Sequence, residues 1–138
     1  MADAAALHEE MFETADRRDL VAFRDLFHPE YTYVASDGSV ALGPDGGLAV
    51  AKGFFDAFPD LVLERTHQYA ASGDVSIIEF VATGTHTGPL GDIPATGKTV
   101  RMTVCDVIEV KDGKIYRERE YYDMMSMMQQ LGLMPAEG

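Results

Sequence analysis

From residue 99 onward the chain alternates apolar and polar side chains with a period of two. In TVRMTVCDVIEV the even positions Val100, Met102, Val104, Ile108 and Val110 are apolar, the mark of a half-buried strand. One even position breaks the pattern, and it is Asp106. Lys111-Asp112-Gly113 then reads as a hairpin connection into a second strand, KIYREREYYD. A three-residue loop closed by a bulge sets Val110 opposite Lys114, Asp106 opposite Glu118 and Val104 opposite Glu120. In that register Tyr116, Glu118, Glu120 and Tyr122 share the apolar face with Asp106. Arg101, Thr103, Cys105, Val107, Glu109, Ile115, Arg117, Arg119 and Tyr121 take the other face. A two-residue Asp112-Gly113 turn would shift the pairing by one and turn Glu118 and Glu120 to the opposite face, beside Thr103 and Cys105. Burying a carboxylate without a partner costs several kcal/mol or forces protonation, so such groups are kept mostly where a proton must move.

Upstream, the apolar positions change period. Residues 3–17 read as a helix, with Leu7, Met11 and Phe12 near helical spacing. Asp19 is placed to cap a short second helix at 20–27, ended by His28-Pro29. A strand at 31–35 closes on the turn Ser36-Asp37-Gly38-Ser39. Gly43-Pro44-Asp45-Gly46 opens a third helix over roughly 45–57, stopped by Pro59. Strands follow at 61–71 and 75–86. Residues 87–98, with three Gly and two Pro, form a loop. Asp123 caps a last short helix, MMSMMQQLG, which Gly132 terminates. Helices first and long antiparallel strands after them predict an α+β fold: a cone-shaped barrel in which a curved mixed sheet wraps three N-terminal helices around a central pocket.

The 138 residues suit one domain, 1–138. A net charge of −12 makes nucleic acid and anionic membranes poor partners. The single Cys allows no internal disulfide, and the acidic N-terminal stretch does not read as a signal peptide; a cytoplasmic location is expected. The mixed outer face of the final hairpin suits an interface, so a homodimer or homotetramer is expected.

Four local motifs carry a family resemblance: LFHPEY at 26–31; GPDG at 43–46 with Phe54-Phe55 and FPD at 58–60; TGTHTGPLGDIPATGK at 83–98; and DGKI at 112–115 leading to Asp123 and QQLGL at 129–133. In this order they resemble the SnoaL-like polyketide cyclases of the ketosteroid isomerase and nuclear transport factor superfamily. The resemblance implies ring closure by intramolecular aldol reaction, driven by one acidic residue as general acid/base, with no metal or cofactor, on a small hydrophobic or polycyclic carbonyl substrate. It places that acid at Glu120. Pocket positions at which the family carries His, Gln and Asn hold Asp106, Val104 and Tyr33 here.

The candidate catalytic residues are therefore Glu120 and Asp106. Like charges this close cannot all ionise, so at least one carboxyl should keep its proton into the neutral range. The opposing reading pairs these acids with Arg117, Arg119 or Arg101 at the surface. Candidate substrate-binding residues are Glu118, Tyr31, Tyr33, Val104, His86, Phe54 and Phe58. Tyr31 and Tyr33 share one strand face and could lend a phenol to a substrate oxygen or simply pack. His86 could line the pocket or anchor the 87–98 loop. His8 and His67 have no supporting motif, and the four His lack metal-binding spacing. Other functions stay in view: a binding protein with an inert cavity, a related isomerase, and water addition of the epoxide-hydrolase kind. The last needs an inward Arg, and the register points Arg101 and Arg119 outward.

Overall fold

The computed structural model describes residues 3–135. Elements run α1 (Ala4–Asp16), α2 (Leu20–Asp25), β1 (Phe27–Val34), β2 (Val40–Leu42), α3 (Gly43–Ala57), β3 (Val62–Ser72), β4 (Val75–Thr85), β5 (Thr99–Lys111), β6 (Lys114–Tyr121) and α4 (Met124–Gln130). The strands form one mixed six-stranded sheet in the order β2-β1-β6-β5-β4-β3. Only β1 and β6 run parallel; every other pair is antiparallel. The sheet is curved and open, with the helices packed on one side. The α+β cone expected from the pattern is what forms.

Local chemistry explains the helix starts. Asp3, Asp19 and Asp123 each turn a carboxylate back onto a backbone N–H three residues on, at Ala6, Ala22 and Ser126, which satisfies a donor the helix itself leaves free. α3 carries Pro44 and Asp45 in its first turn instead. α3 then packs very closely on β1. A Cβ at Gly47 would lie 2.7 Å from Tyr31 Cε2 and 2.8 Å from Phe27 Cε2, so only glycine fits there. His28-Pro29 does not follow a helix as the sequence suggested; α2 ends at Asp25 and both residues lie in β1. The ladder between β1 and β6 breaks between Phe27 and Thr32, where a residue lacking an N–H costs no ladder bond.

The β5–β6 hairpin corrects the predicted register. The turn has two residues, Asp112 (φ 54°) and Gly113 (φ 72°), between the paired Lys111 and Lys114, the left-handed pair that suits a tight hairpin. Alone, this turn would have put Glu118 and Glu120 outside. A bulge at Tyr116, between the pairs Val110–Ile115 and Glu109–Arg117, restores the parity. Asp106 thus faces Glu120 and Ile108 faces Glu118, two residues from the expected pairing but on the expected face. The bulge exchanges its neighbours: Ile115 enters the core with no exposure, and Tyr116 sits outside against His28, Lys111 and Arg117.

The core lies between helices and sheet, built on Leu7, Phe12, Phe23, Phe27, Phe80, Ile108 and Leu131. The outer face is mixed, with exposed Tyr121 and half-buried Val81 and Val107. No helix of the described residues is long and apolar enough to cross a membrane.

Candidate active site

Between the concave sheet face and the helices lies a cavity of about 140 Å³, roughly ten times what one water needs. Phe12, Phe54, Phe58, Phe80, Met102 and Val104 wall it. Its polar lining gathers in one place: Asp106, Glu118 and Glu120 with Tyr31, Tyr33 and Tyr122. No Lys or Arg lines it among the described residues. Arg119 turns outward to Glu109, 2.6 Å away, and Arg101 is exposed, so the inward Arg that water addition needs is missing from this cavity.

Strand alternation builds the cluster. Tyr31 and Tyr33 point the same way from β1, beside β6 in the parallel ladder. The Tyr31 hydroxyl donates to Glu118 Oε1 at 2.5 Å, and the Tyr33 hydroxyl donates to Glu120 Oε1 at 2.5 Å. Asp106 has no exposure, and Tyr31, Tyr33 and Glu118 are also buried. Of the predicted site residues, the structure brings together Glu120, Asp106, Glu118, Tyr31, Tyr33, Val104, Phe54 and Phe58.

His86 is a correction. It is fully buried but does not line the cavity. Its Nδ1 lies 3.0 Å from Thr96 Oγ1 and accepts the Thr96 N–H, while its backbone bonds to Lys98 and Gly97. The ring therefore fastens the 87–98 loop, and its backbone carries the loop's closure.

The sequence reading missed His8. It too has no exposure, with Nε2 2.8 Å from Asp106 Oδ2 and Nδ1 2.8 Å from Ser76 Oγ. Proton counting favours one tautomer. Gln68 Nε2 donates to Ala5 O and to Ser76 Oγ, so the Ser76 hydroxyl proton is free for His8 Nδ1. The imidazole proton then sits on Nε2 and is donated to Asp106. A signal was present in the sequence: His8 interrupts the buried helical stripe Ala4, Leu7, Met11, Phe12, Ala15.

Burial dominates the electrostatics. It holds His8 down to about 4 against the upward pull of Glu118, so His8 is neutral and its contact with Asp106 is a hydrogen bond to a neutral ring. Asp106 and Glu118 are both pushed well above the usual carboxylate range by burial. The proximity of the two carboxyls lowers Asp106 and raises Glu118, as expected if a proton shared between them favours Glu118. Burial and the nearby Glu118 raise Glu120 to about 8, with the Tyr33 hydroxyl pulling the other way. Burial and the adjacent acids hold Tyr31 and Tyr33 far above the ordinary phenol value, so both remain donors. One oxygen of each acid lies within 4.8 Å of the others, close enough to share a small cation. The phenol and imidazole donors already aimed at all three carboxyls fit shared protons better.

A family description, SnoaL-like polyketide cyclase, matches residues 4–131. No curated protein matches the chain. Among solved structures it is similar to AclR from Streptomyces galilaeus, provisionally assigned as a hydroxylase, at 25% identity and TM-score 0.81, covering 96% of this chain and 83% of that one. It is similar to IdmH from Streptomyces antibioticus, provisionally assigned as a polyketide cyclase, at 25% identity and TM-score 0.75, covering 91% and 96%. An NTF2-like protein from Burkholderia thailandensis shares the fold at 18% identity and TM-score 0.82, covering 98% and 100%. With the family description spanning nearly every element of the fold, the chain belongs to the SnoaL-like polyketide cyclase family.

Proposed function

We propose that the protein is a cofactor-free cyclase that enolises a neutral, apolar carbonyl substrate and closes a ring by intramolecular aldol reaction. The observation that carries the reading is Glu120: a cavity-facing carboxyl, raised to about 8 and held by a phenol. A base works best with its proton affinity near the working pH. Ionised Glu120 takes the proton from the carbon beside the carbonyl. The C–H electron pair becomes the enolate. Protonated Glu120 no longer needs the Tyr33 hydrogen bond, and the phenol is released to donate to the enolate oxygen. The enolate carbon then forms a bond to a second carbonyl of the same molecule, and the new alkoxide recovers the proton from Glu120. The absence of Lys and Arg from the cavity lining among the described residues supports a neutral substrate, because an anion would meet a cluster of carboxyls with no cation to balance it. The test is exchange of the substrate's α-proton in D2O with a panel of polyketide β-ketoesters and small ketosteroids. Exchange by the wild type that disappears in Glu120→Gln supports the reading. Binding without exchange favours a carrier with an inert cavity. A second copy on the outer face, as homodimer or homotetramer, belongs to the same proposal; a 15.1 kDa particle in light scattering at micromolar concentration would contradict it.

A further inference from the structure

We propose that His8 is a positioning residue of this site: the N–H it gives Asp106 decides which of the three acids keeps the negative charge. The inference rests on Glu120 being the base and adds a residue from α1 to a site otherwise built on the sheet. Asp106 receives His8 on Oδ2, while its Oδ1 is buried without an N–H or hydroxyl donor. Carboxyl oxygens of Glu118 and Glu120 lie within 4.8 Å of an Asp106 oxygen, so a proton on a neighbouring acid, Glu118 in this proposal, is what could satisfy Oδ1. A donor on Oδ2 favours the charged form of Asp106. The proton shared between the pair is therefore biased towards Glu118, with the pair keeping negative charge beside Glu120, and Glu120 is left against Tyr33 as the group that gives and takes a proton.

The support behind His8 is also specific. Ser76 on β4, fully buried, fixes the ring from Nδ1, and Phe12 packs against it with ring centroids 5.7 Å apart. A leucine would fill this position of the apolar stripe without needing two polar partners. The ionisable groups facing Glu120 are Asp106 from β5, Glu118 from β6, Tyr33 and Tyr31 from β1 and Tyr122 after β6, with His8 behind Asp106 from α1. α3 and α4 face the cavity with Phe54 and Met127, which do not ionise.

The experiment follows the Glu120 carboxyl by 13C NMR titration in the full chain, with pH–rate profiles once a substrate turns over. His8→Leu removes the donor. Asp106 then holds a proton to higher pH, the charge beside Glu120 falls, and the Glu120 midpoint moves to lower pH by on the order of one unit. His8→Gln retains a side-chain N–H for Asp106 and restores the midpoint towards wild type, which a purely packing role would not do. Should His8→Leu fail to fold, Ser76→Ala frees the tautomer and gives a smaller movement of the same sign. An unmoved midpoint in His8→Leu, or in Ser76→Ala, alongside a moved one in Asp106→Asn overturns the role of His8 and leaves Glu120 as the base. A wild-type midpoint near the ordinary ~4.3 overturns both.

Discussion

The Tyr33 hydroxyl donates to Glu120 Oε1 at 2.5 Å, from the strand on the far side of β6 to Asp106. The phenol and Asp106 therefore act on Glu120 with opposite sign. The hydrogen bond stabilises the carboxylate, and negative charge nearby destabilises it. Tyr33→Phe should move the Glu120 midpoint above its value of about 8, and Asp106→Asn should move it below. Carboxyl titration of the two variants checks this, and movement in the same direction would contradict the described arrangement.

The buried groups also give stability an unusual dependence on pH. Glu120 lies at about 8 in the fold against an ordinary 4.5. A folded value above the unfolded one means that the fold binds the proton more tightly. Its contribution is full below pH 4.5 and is lost as pH rises through 8. His8, lowered from 6.5 to about 4, has the opposite sign: its contribution is present above 6.5 and lost as pH falls towards 4. Of these groups the raised acids are the ones that act between pH 6.5 and 8, so their contribution to stability should fall as pH rises, approaching about 1.4 kcal/mol per pH unit for each group titrating. Glu120→Gln should flatten that slope and exceed wild type at pH 8. Denaturant melts across this window measure it, and a wild-type slope unchanged in the variant would remove Glu120 from the buried cluster.

Gly47 couples the helix layer to the phenols. Its missing side chain lets α3 sit against the Tyr31 and Phe27 rings. Gly47→Ala forces those rings aside, and overpacking of this kind costs roughly 1–3 kcal/mol. Because Tyr31 holds Glu118, the variant should lose activity beyond what its reduced stability explains. Thermal melts and kcat on the same preparation separate the two effects.

The parts of the site that depend on alternation were legible in the sequence. Asp106 stood out as the one carboxylate among the even positions of β5, and Tyr31 and Tyr33 shared parity. The face taken by Glu118 and Glu120 depended on more than alternation, since two irregularities had to cancel. A two-residue turn shifts the ladder by one, and the bulge at Tyr116 shifts it by one more, which restores the parity; no residue pattern near Tyr116 announces the second. His8 escaped for another reason. Its partners Ser76 and Asp106 lie 68 and 98 residues away, so only its place in an apolar stripe could mark it. His86 satisfied parity and burial, but the loop's return beside it supplied Thr96 as partner, a contact that strand periodicity does not encode. Pro29 read as a helix stop because the break in the β1–β6 ladder that accommodates it is a tertiary feature.

The central claim is that Glu120 moves the proton. Steady-state kinetics of Glu120→Gln, on whichever β-ketoester or ketosteroid the wild type turns over, tests it most directly. The amide keeps the side chain's shape and can still accept from Tyr33 while losing the ability to take a proton. The account predicts a fall in kcat on the order of 10²–10⁴-fold, with KM nearly unchanged and α-proton exchange abolished. A variant that turns over and exchanges at the wild-type rate would contradict it.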